Sequence, residues 1–443
     1  MSHADAKRGS NFVNALLYST ESITALLFSV VSVALIARHF GPENLARYSL
    51  AQSVSTLFIV FATLGLEQFV IRELARNKND SEFVTSALVG MVAGWFAYVG
   101  LVVAYYLVFQ DFARDLILIA SVVVATAISK VLFIRSYLQA TNTPRPIALA
   151  SLFSRLLSIA YLIAGAYLDF SYDAMMLYLP LQAIALFIGM AISKPQFFAL
   201  IEFKQFNPRR LLISVREASP VFISTILYFF YNQSDILIMS SLLDANTVGI
   251  YSASIRLIPQ AAFLGYVLVA TFYKEMDKRL LEDKDAFESY VKSILTIQFG
   301  VGLVLATGVF LTSDLVIYLL YGERYAQSAQ VLAIACWAWV FILPAALYSR
   351  LLIMLGYARY ELIKMLIVAP LIILLNYLVI SRIGMLGSAV VFVFSYFLVD
   401  FLVYFLFKET RYLGLMGWHA VVDIFTRPRH VVRNAYVLLK ARA

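Results

Sequence analysis

Apolar runs of about 20 residues, each bounded by clusters of charged or turn-forming residues, recur along the whole chain, and such a run coiled as a helix is long enough to cross a bilayer's hydrocarbon core. Read between charge clusters, the first half holds six runs, at 14–37, 48–68, 83–109, 117–137, 147–167 and 174–193. The second half holds six more, at 214–240, 248–272, 291–312, 326–350, 362–380 and 384–407. Ala87 to Phe109 is the cleanest. The pattern predicts an all-α polytopic membrane protein with twelve transmembrane helices in two six-helix lobes around a central cavity. The expected divisions are an N-lobe at 1–193, a cytoplasmic linker at 194–213, a C-lobe at 214–407 and a basic tail at 408–443.

Composition agrees: of 443 residues, 62% are hydrophobic and only 14% charged, which excludes a soluble α/β domain. The formal net charge of +8 does not call for nucleic acid, because Lys and Arg divide by side of the membrane. The segments on the side that carries both termini hold 22 Lys and Arg, against 5 on the other side. The positive-inside rule then predicts cytoplasmic termini and an even number of spans. Met1 to Phe12 runs straight into an apolar segment without a small-residue cleavage site, so the first helix is expected to remain. A single cysteine, Cys336, excludes an intrachain disulfide, and the four scattered histidines give no metal cluster.

The connection between the first two runs reads Gly41-Pro42-Glu43-Asn44-Leu45-Ala46-Arg47-Tyr48-Ser49, and that between the seventh and eighth reads Asp244-Ala245-Asn246-Thr247-Val248-Gly249-Ile250-Tyr251-Ser252. Tyr48 and Ser49 align with Tyr251 and Ser252, at the place a six-plus-six duplication would put them. An even number of helices per half makes the repeats parallel, related by an axis along the membrane normal. Gly90 and Gly94 allow close helix approach, read as packing within the chain.

Ionisable residues inside the spans are costly in lipid and so carry the candidate chemistry. Arg216, Lys292 and Lys364 lie near helix ends and are expected to snorkel outward. Glu21, Lys130, Arg155, Asp235 and Arg256 lie deeper, and Asp235 follows Tyr231-Asn232-Gln233-Ser234 in a polar patch. Arginine suits a phosphate ligand because its guanidinium stays charged and binds in two-pronged fashion. No Gly-rich loop ending in Gly-Lys-Ser/Thr, no His-Glu-x-x-His and no soluble catalytic domain occurs, so no cofactor is expected and an energy source must be external. A proton or sodium gradient, a substrate gradient, or consumption of product on the far side would serve.

Several segments resemble the polysaccharide biosynthesis or O-antigen flippase family of the multidrug, oligosaccharidyl-lipid and polysaccharide exporter superfamily. They are Arg38-His39-Phe40-Gly41-Pro42-Glu43 leading to Tyr48-Ser49-Leu50, Leu64-Gly65-Leu66 leading to Ile71-Arg72-Glu73-Leu74-Ala75-Arg76, and Asp235-Ile236-Leu237-Ile238 leading to Val248-Gly249-Ile250-Tyr251-Ser252. Tyr321-Gly322-Glu323-Arg324-Tyr325 follows, so that the resemblance runs through nearly the whole chain. Ala46-Arg47-Tyr48-Ser49 departs from the Gly-x-Tyr-Ser that the family often has.

The resemblance implies a non-enzymatic carrier in a bacterial inner membrane, moving an undecaprenyl-pyrophosphate-linked glycan between leaflets while the prenyl tail stays among membrane lipids. On that reading Arg256 and Arg155, then Lys130 and Arg350, with Arg38 near the outer exit, would meet the pyrophosphate. Glu21, Glu67 and Asp235 would serve ion or proton coupling, or pair with the bases in the empty carrier. The tail after Phe407, with Trp418 and Phe425 among its bases, would lie on the anionic inner surface or dock a polysaccharide polymerase or glycosyltransferase. A multidrug or small-solute antiporter of the same superfamily and an intramembrane glycan-processing enzyme are the alternatives.

Overall fold

A computed structural model describes residues 3–427. The described residues are helical apart from short connections, with no strand among them. Eleven continuous stretches are long and apolar enough to cross a membrane. The first, Thr20–Thr63, is two helices in one, because Gly41 interrupts it at φ 77° and ψ −177°. Glycine adopts that left-handed φ without a Cβ clash, and Pro42 then starts the next helix with its φ already set. Counting 20–40 as span 1 and 42–63 as span 2 brings the total to twelve, the number expected from the sequence.

Spans 3 to 7 are Ser81–Phe109, Phe112–Ala140, Pro144–Tyr167, Tyr172–Ser193 and Pro208–Leu242. Spans 8 to 12 are Ala245–Glu282, Lys284–Tyr321, Ser328–Met354, Arg359–Ile383 and Met385–Phe405. Spans 8 and 9 run well past the apolar segments that predicted them, through the mixed-charge region between them, which is interrupted only at Asp283. Carboxylates cap the starts of several spans: Asp80 accepts from the Phe83 amide (2.9 Å), and Asp111 accepts from Arg114 (3.2 Å). Asp244 accepts from both the amide (3.0 Å) and the hydroxyl (2.7 Å) of Thr247. These bonds favour the ionised form and hold the exposed Asp244 carboxyl below its usual pKa.

The chain divides into two compact units, Met1–Ser241 and Leu242–Ala443, so span 7 lies in the first. Phe222 of span 7 meets Phe61 edge-on at 5.4 Å, and Leu211 packs over Gly90. The linker ahead of span 7 is fastened to the start of span 3. Ser81 donates to the Leu200 carbonyl (2.7 Å), while the Glu202 and Asn207 amides donate to the Thr85 and Ser86 hydroxyls, both at 3.0 Å. Gly90 and Gly94 serve packing within the chain, since a Cβ on Gly94 would strike the Phe61 carbonyl of span 2.

In the second unit, span 8 is broken: its first helix ends at Ile255, a 3-10 turn covers Pro259–Ala261, and the helix resumes at Ala262. Carbonyls freed by such a break need new donors inside a membrane. At the break the Trp339 indole of span 10 donates to the Ile258 carbonyl (2.7 Å), and within the resumed helix Gln298 of span 9 donates to the Gly265 carbonyl (3.3 Å). Reciprocal hydroxyl bonds, Ser254 to the Ser328 carbonyl (2.6 Å) and Ser328 to the Ile250 carbonyl (2.7 Å), join spans 8 and 10.

Gly94→Val is expected to lower the thermal midpoint of the detergent-solubilised protein, since overpacking costs about 1–3 kcal/mol. Gly100→Ala, whose Cβ would meet nothing within 4 Å, is expected to leave the midpoint unchanged. Equal midpoints for the two variants would contradict the close approach of spans 2 and 3.

Candidate functional site

Glu21 of span 1 is buried, and charged side chains from two other spans converge on it. Arg155 of span 5 gives one nitrogen to Glu21 Oε1 (3.0 Å). Its other nitrogen donates to the Glu21 carbonyl (2.8 Å) and to Thr24 Oγ1 (2.7 Å). Arg135, at the end of span 4, donates to Glu21 Oε2 (3.1 Å). One carboxylate thus serves two guanidiniums.

Span 4 delivers Arg135 and Lys130 through an irregular stretch. A π turn occupies Ala127–Val131, and Phe133 follows at φ 25° before the helix restarts at Ile134. A positive φ in a bulky residue is strained, and π turns recur at functional positions. Lys130, inside the turn, reaches Glu67 of the short helix Leu66–Arg76 at 2.9 and 3.2 Å. The side chains grade from open to closed: Lys130 and Glu67 are 38% and 41% exposed, Arg135 33%, and Arg155 and Glu21 12% and 9%. Across the two groups three bases stand against two acids, and Lys130, Glu67 and Arg135 are the more exposed members. Such an arrangement suits an anion that exchanges with the carboxylates.

The other end of this unit carries a tighter structure. Arg47 pairs with Asp115 at 2.6 Å, donates to Asn44 and to the Arg114 carbonyl (both 2.9 Å), and stacks over the Tyr172 ring at 4.4 Å. Tyr48 and Tyr178 share a 2.7 Å hydroxyl bond beside it. Arg38 is exposed on the last turn of span 1, ahead of Gly41. Asp235 is buried in span 7, with Oδ1 accepting from the Ile236 amide (2.8 Å).

The remaining predicted bases lie in the second unit. Arg256 stands where span 8 breaks, closing the helix Ala245–Ile255. Arg350 of span 10 stacks over Tyr273 at 4.3 Å. Arg256 and Tyr273 are separated by about 25 Å along the span at 1.5 Å per residue, so these two bases occupy different levels of the unit. Of the three residues expected to snorkel, Lys364 is held inside the protein instead, whereas Lys292 stays 36% exposed. Lys292 pairs with Asp423 of the helix Arg411–Thr426 at 2.6 Å, and Lys364 is 3% exposed because carboxylates meet it within the unit. The part of the basic tail beyond Arg427 lies outside the described residues. Among the described residues no group of His, Cys, Asp and Glu could hold a metal ion.

The sequence profile of the polysaccharide biosynthesis protein family matches residues 13–272, well over half of the chain. The chain belongs to that family. The matched region includes the Glu21 cluster, Asp235 and Arg256, whereas Arg350 and spans 9 to 12 lie beyond it. No curated protein matches the chain by sequence. Several solved structures share its fold. An inward-facing multidrug resistance MATE family transporter of the MOP superfamily has a TM-score of 0.66 at 15% identity, covering 91% of this chain and 96% of its own. The lipid II flippase MurJ, in an inward closed conformation, has a TM-score of 0.66 at 14% identity, covering 94% and 92%. A MOP superfamily transporter from Pyrococcus furiosus has a TM-score of 0.51 at 14% identity, covering 93% and 95%. At these identities the likeness establishes the fold, that of multi-pass transporters and flippases.

In this family member, Arg135 counts among the ionisable residues of the spans but not among the deeper candidates read from the sequence, and the Arg47–Asp115 pair was not singled out. Arg135 follows Lys130 by five residues, a spacing that a regular helix does not place on one face but the π turn and its break accommodate. Arg47 occupies the position where the second copy of the turn has Ile250, and that asymmetry was the available signal.

Removing one partner from a buried ion pair leaves an uncompensated charge, at a cost on the order of 3–5 kcal/mol. Glu21→Ala is therefore expected to depress the thermal midpoint in detergent more than Glu21→Ala combined with Arg155→Met. Additive losses in that double-mutant cycle would show the two residues to be uncoupled.

Proposed function

We propose that this family member is a flippase that moves undecaprenyl-pyrophosphate-linked oligosaccharide repeat units from the cytoplasmic to the periplasmic leaflet of a bacterial inner membrane by alternating access. The units would feed O-antigen or related surface polysaccharide synthesis, and both termini would be cytoplasmic. The observation that carries the reading is the Glu21–Arg135–Arg155 cluster with Lys130–Glu67 beside it, set in a twelve-span member of the polysaccharide biosynthesis family. A pyrophosphate leaving water needs donors that replace its hydration, and guanidiniums do so with paired hydrogen bonds. Arg155, Arg135 and Lys130 offer those donors in the first unit, and Arg256 offers one at the break in span 8.

On this reading the carboxylates Glu21 and Glu67 take the place of phosphate when the carrier is empty. The protein would not return a bare cluster of like charges through the membrane, which lowers the barrier to resetting. No bond of the cargo is made or broken. Movement would be coupled to a proton or sodium gradient, or drawn by consumption of the unit on the far side. The basic tail would rest on anionic lipid or meet a polymerase or glycosyltransferase.

Translocation of a lipid-linked glycan by the full chain in reconstituted vesicles tests the proposal. Arg155→Ala with Arg256→Ala is expected to reduce the rate at least tenfold. An undiminished rate in the double variant would remove the phosphate-binding assignment, and no translocation by the wild type, with export of small solutes, would move the reading to an antiporter.

A further inference from the structure

The second unit buries a charge imbalance that the flippase reading does not use. Lys364 of span 11 is 3% exposed and forms a 2.7 Å ion pair with Glu361, one turn earlier on the same helix. Asp400, the last residue of the span 12 helix, has a side chain 10% exposed and lies 3.8 Å from the same ammonium, outside hydrogen-bonding range. Two carboxylates therefore face one base.

The surroundings offer no second cation among the described residues. The charged groups that act on Asp400 are Lys364 and Glu361. Those that act on Lys364 are Glu361, Asp400 and the Tyr404 phenol. Tyr404, in the 3-10 turn that ends span 12, lies 3.5 Å from the Lys364 ammonium and stacks on Tyr348 of span 10 with ring centroids 4.5 Å apart. Tyr348 is fully buried, and the helix Arg411–Thr426 closes over it at Gly417, where a Cβ would strike the Tyr348 hydroxyl. Tyr360 packs on the outer side against Phe407, and Arg359 is engaged with its hydroxyl at 3.2 Å. Glu409 is exposed beside Tyr360 and Arg359.

Glu361, whose side chain is 32% exposed, has Oε2 held by Lys364 and Oε1 without a hydrogen-bond partner. A buried carboxylate without a compensating charge neutralises by taking up a proton. The 2.7 Å pair makes Glu361 the acid that Lys364 serves first, and leaves Asp400, the more buried of the two carboxylates, with the longer 3.8 Å share of the same ammonium.

We propose that Asp400 is a proton-binding carboxyl, set beside the Lys364–Glu361 ion pair and roofed by the helix Arg411–Thr426. The site binds one proton in this conformation, and it would release that proton when movement of span 11, span 12 or the roof admits water or brings Lys364 to Asp400. That is what a carrier driven by a proton gradient requires. The assignment concerns different residues from Glu21, Glu67 and Asp235, and it stands whether the cargo is a lipid-linked glycan or another solute.

Infrared spectra of the purified full-length protein at neutral pH test the assignment through the protonated-carboxyl stretching band, with thermal midpoints recorded to confirm folding. The wild type is expected to show the band, and Asp400→Asn to lose it. Glu361→Gln is expected to lose it as well, because Lys364 is then free to compensate an ionised Asp400. Lys364→Met should keep or strengthen it. Absence of the band in the wild type, its persistence in Asp400→Asn, or its disappearance on adding sodium would each overturn the proposal. Should Asp400→Asn fail to fold, the opposite responses of Glu361→Gln and Lys364→Met decide the matter.

Discussion

A charge carried into a lipid-facing bundle must be met by an opposite charge or by water, and much of this protein's helix arrangement follows from how its charges are met. Glu21 draws together spans 1, 4 and 5 through Arg135 and Arg155. Lys130 ties span 4 to the helix Leu66–Arg76 through Glu67. At the other end of the unit, Arg47 holds span 2 to the start of span 4 through Asp115, with neither side chain more than 14% exposed. An isolated charge in hydrocarbon costs several kcal/mol, whereas apolar side chains gain little from one another over lipid. The pairs therefore specify which helices are neighbours more sharply than the apolar surface does.

The second constraint falls on the backbone. Among the places where the described chain abandons regular helix are Gly41, the stretch from Ala127 to Phe133, and the segment from Arg256 to Ala261. Each leaves peptide groups that lipid cannot satisfy. Gly41 lies between two spans, where water is near. The other two lie within spans, and each carries one of the bases proposed to meet phosphate, Lys130 and Arg256. In span 8 the Trp339 indole donates to the Ile258 carbonyl, which also accepts from the Ala261 amide. Irregular backbone inside a membrane persists where protein or a hydrated space can solvate it, which also lets a charged side chain leave the helix surface and reach solvent.

The spans were legible in the sequence because hydrocarbon thickness sets a length that local composition reports. Their ends were less so by hydropathy alone, which starts span 9 at 291 although its helix begins at Lys284; the mixed charge of 273–290 is what marks that stretch as a solvated helical extension. The turn before Tyr48 and its copy before Tyr251 were legible because glycine and a capping aspartate leave local marks; in both copies the tyrosine and the following serine are buried. Pairings were not legible, because each joins residues far apart in the chain. Lys364 shows the limit: near a helix end it reads as a snorkelling side chain, and only Asp400, brought in from span 12, and Glu361 on the preceding turn keep it inside. The placement of span 7 with the first unit was equally hidden, because a repeat in sequence records duplication and says nothing of which neighbours a helix packs against.

The two charge clusters differ in a way that fits different cargo. In the first cluster three bases stand against two acids, and Arg135, Lys130 and Glu67 are 33%, 38% and 41% exposed, so on the proposed reading an anion meets Lys130 and Arg135 before it competes with the buried Arg155–Glu21 pair. Exposed ion pairs in high dielectric are worth about 1 kcal/mol or less, and a doubly charged phosphate group competes for them on favourable terms. In the second unit the acids outnumber the base, and Lys364 and Asp400 are sealed. A multiply charged anion is repelled there, and a large one cannot enter; a proton needs no room and cancels the imbalance. On the proposed reading, sign and accessibility together separate the site for the cargo from the site for the ion. Neither requires the other's residues, so the two can be tested apart.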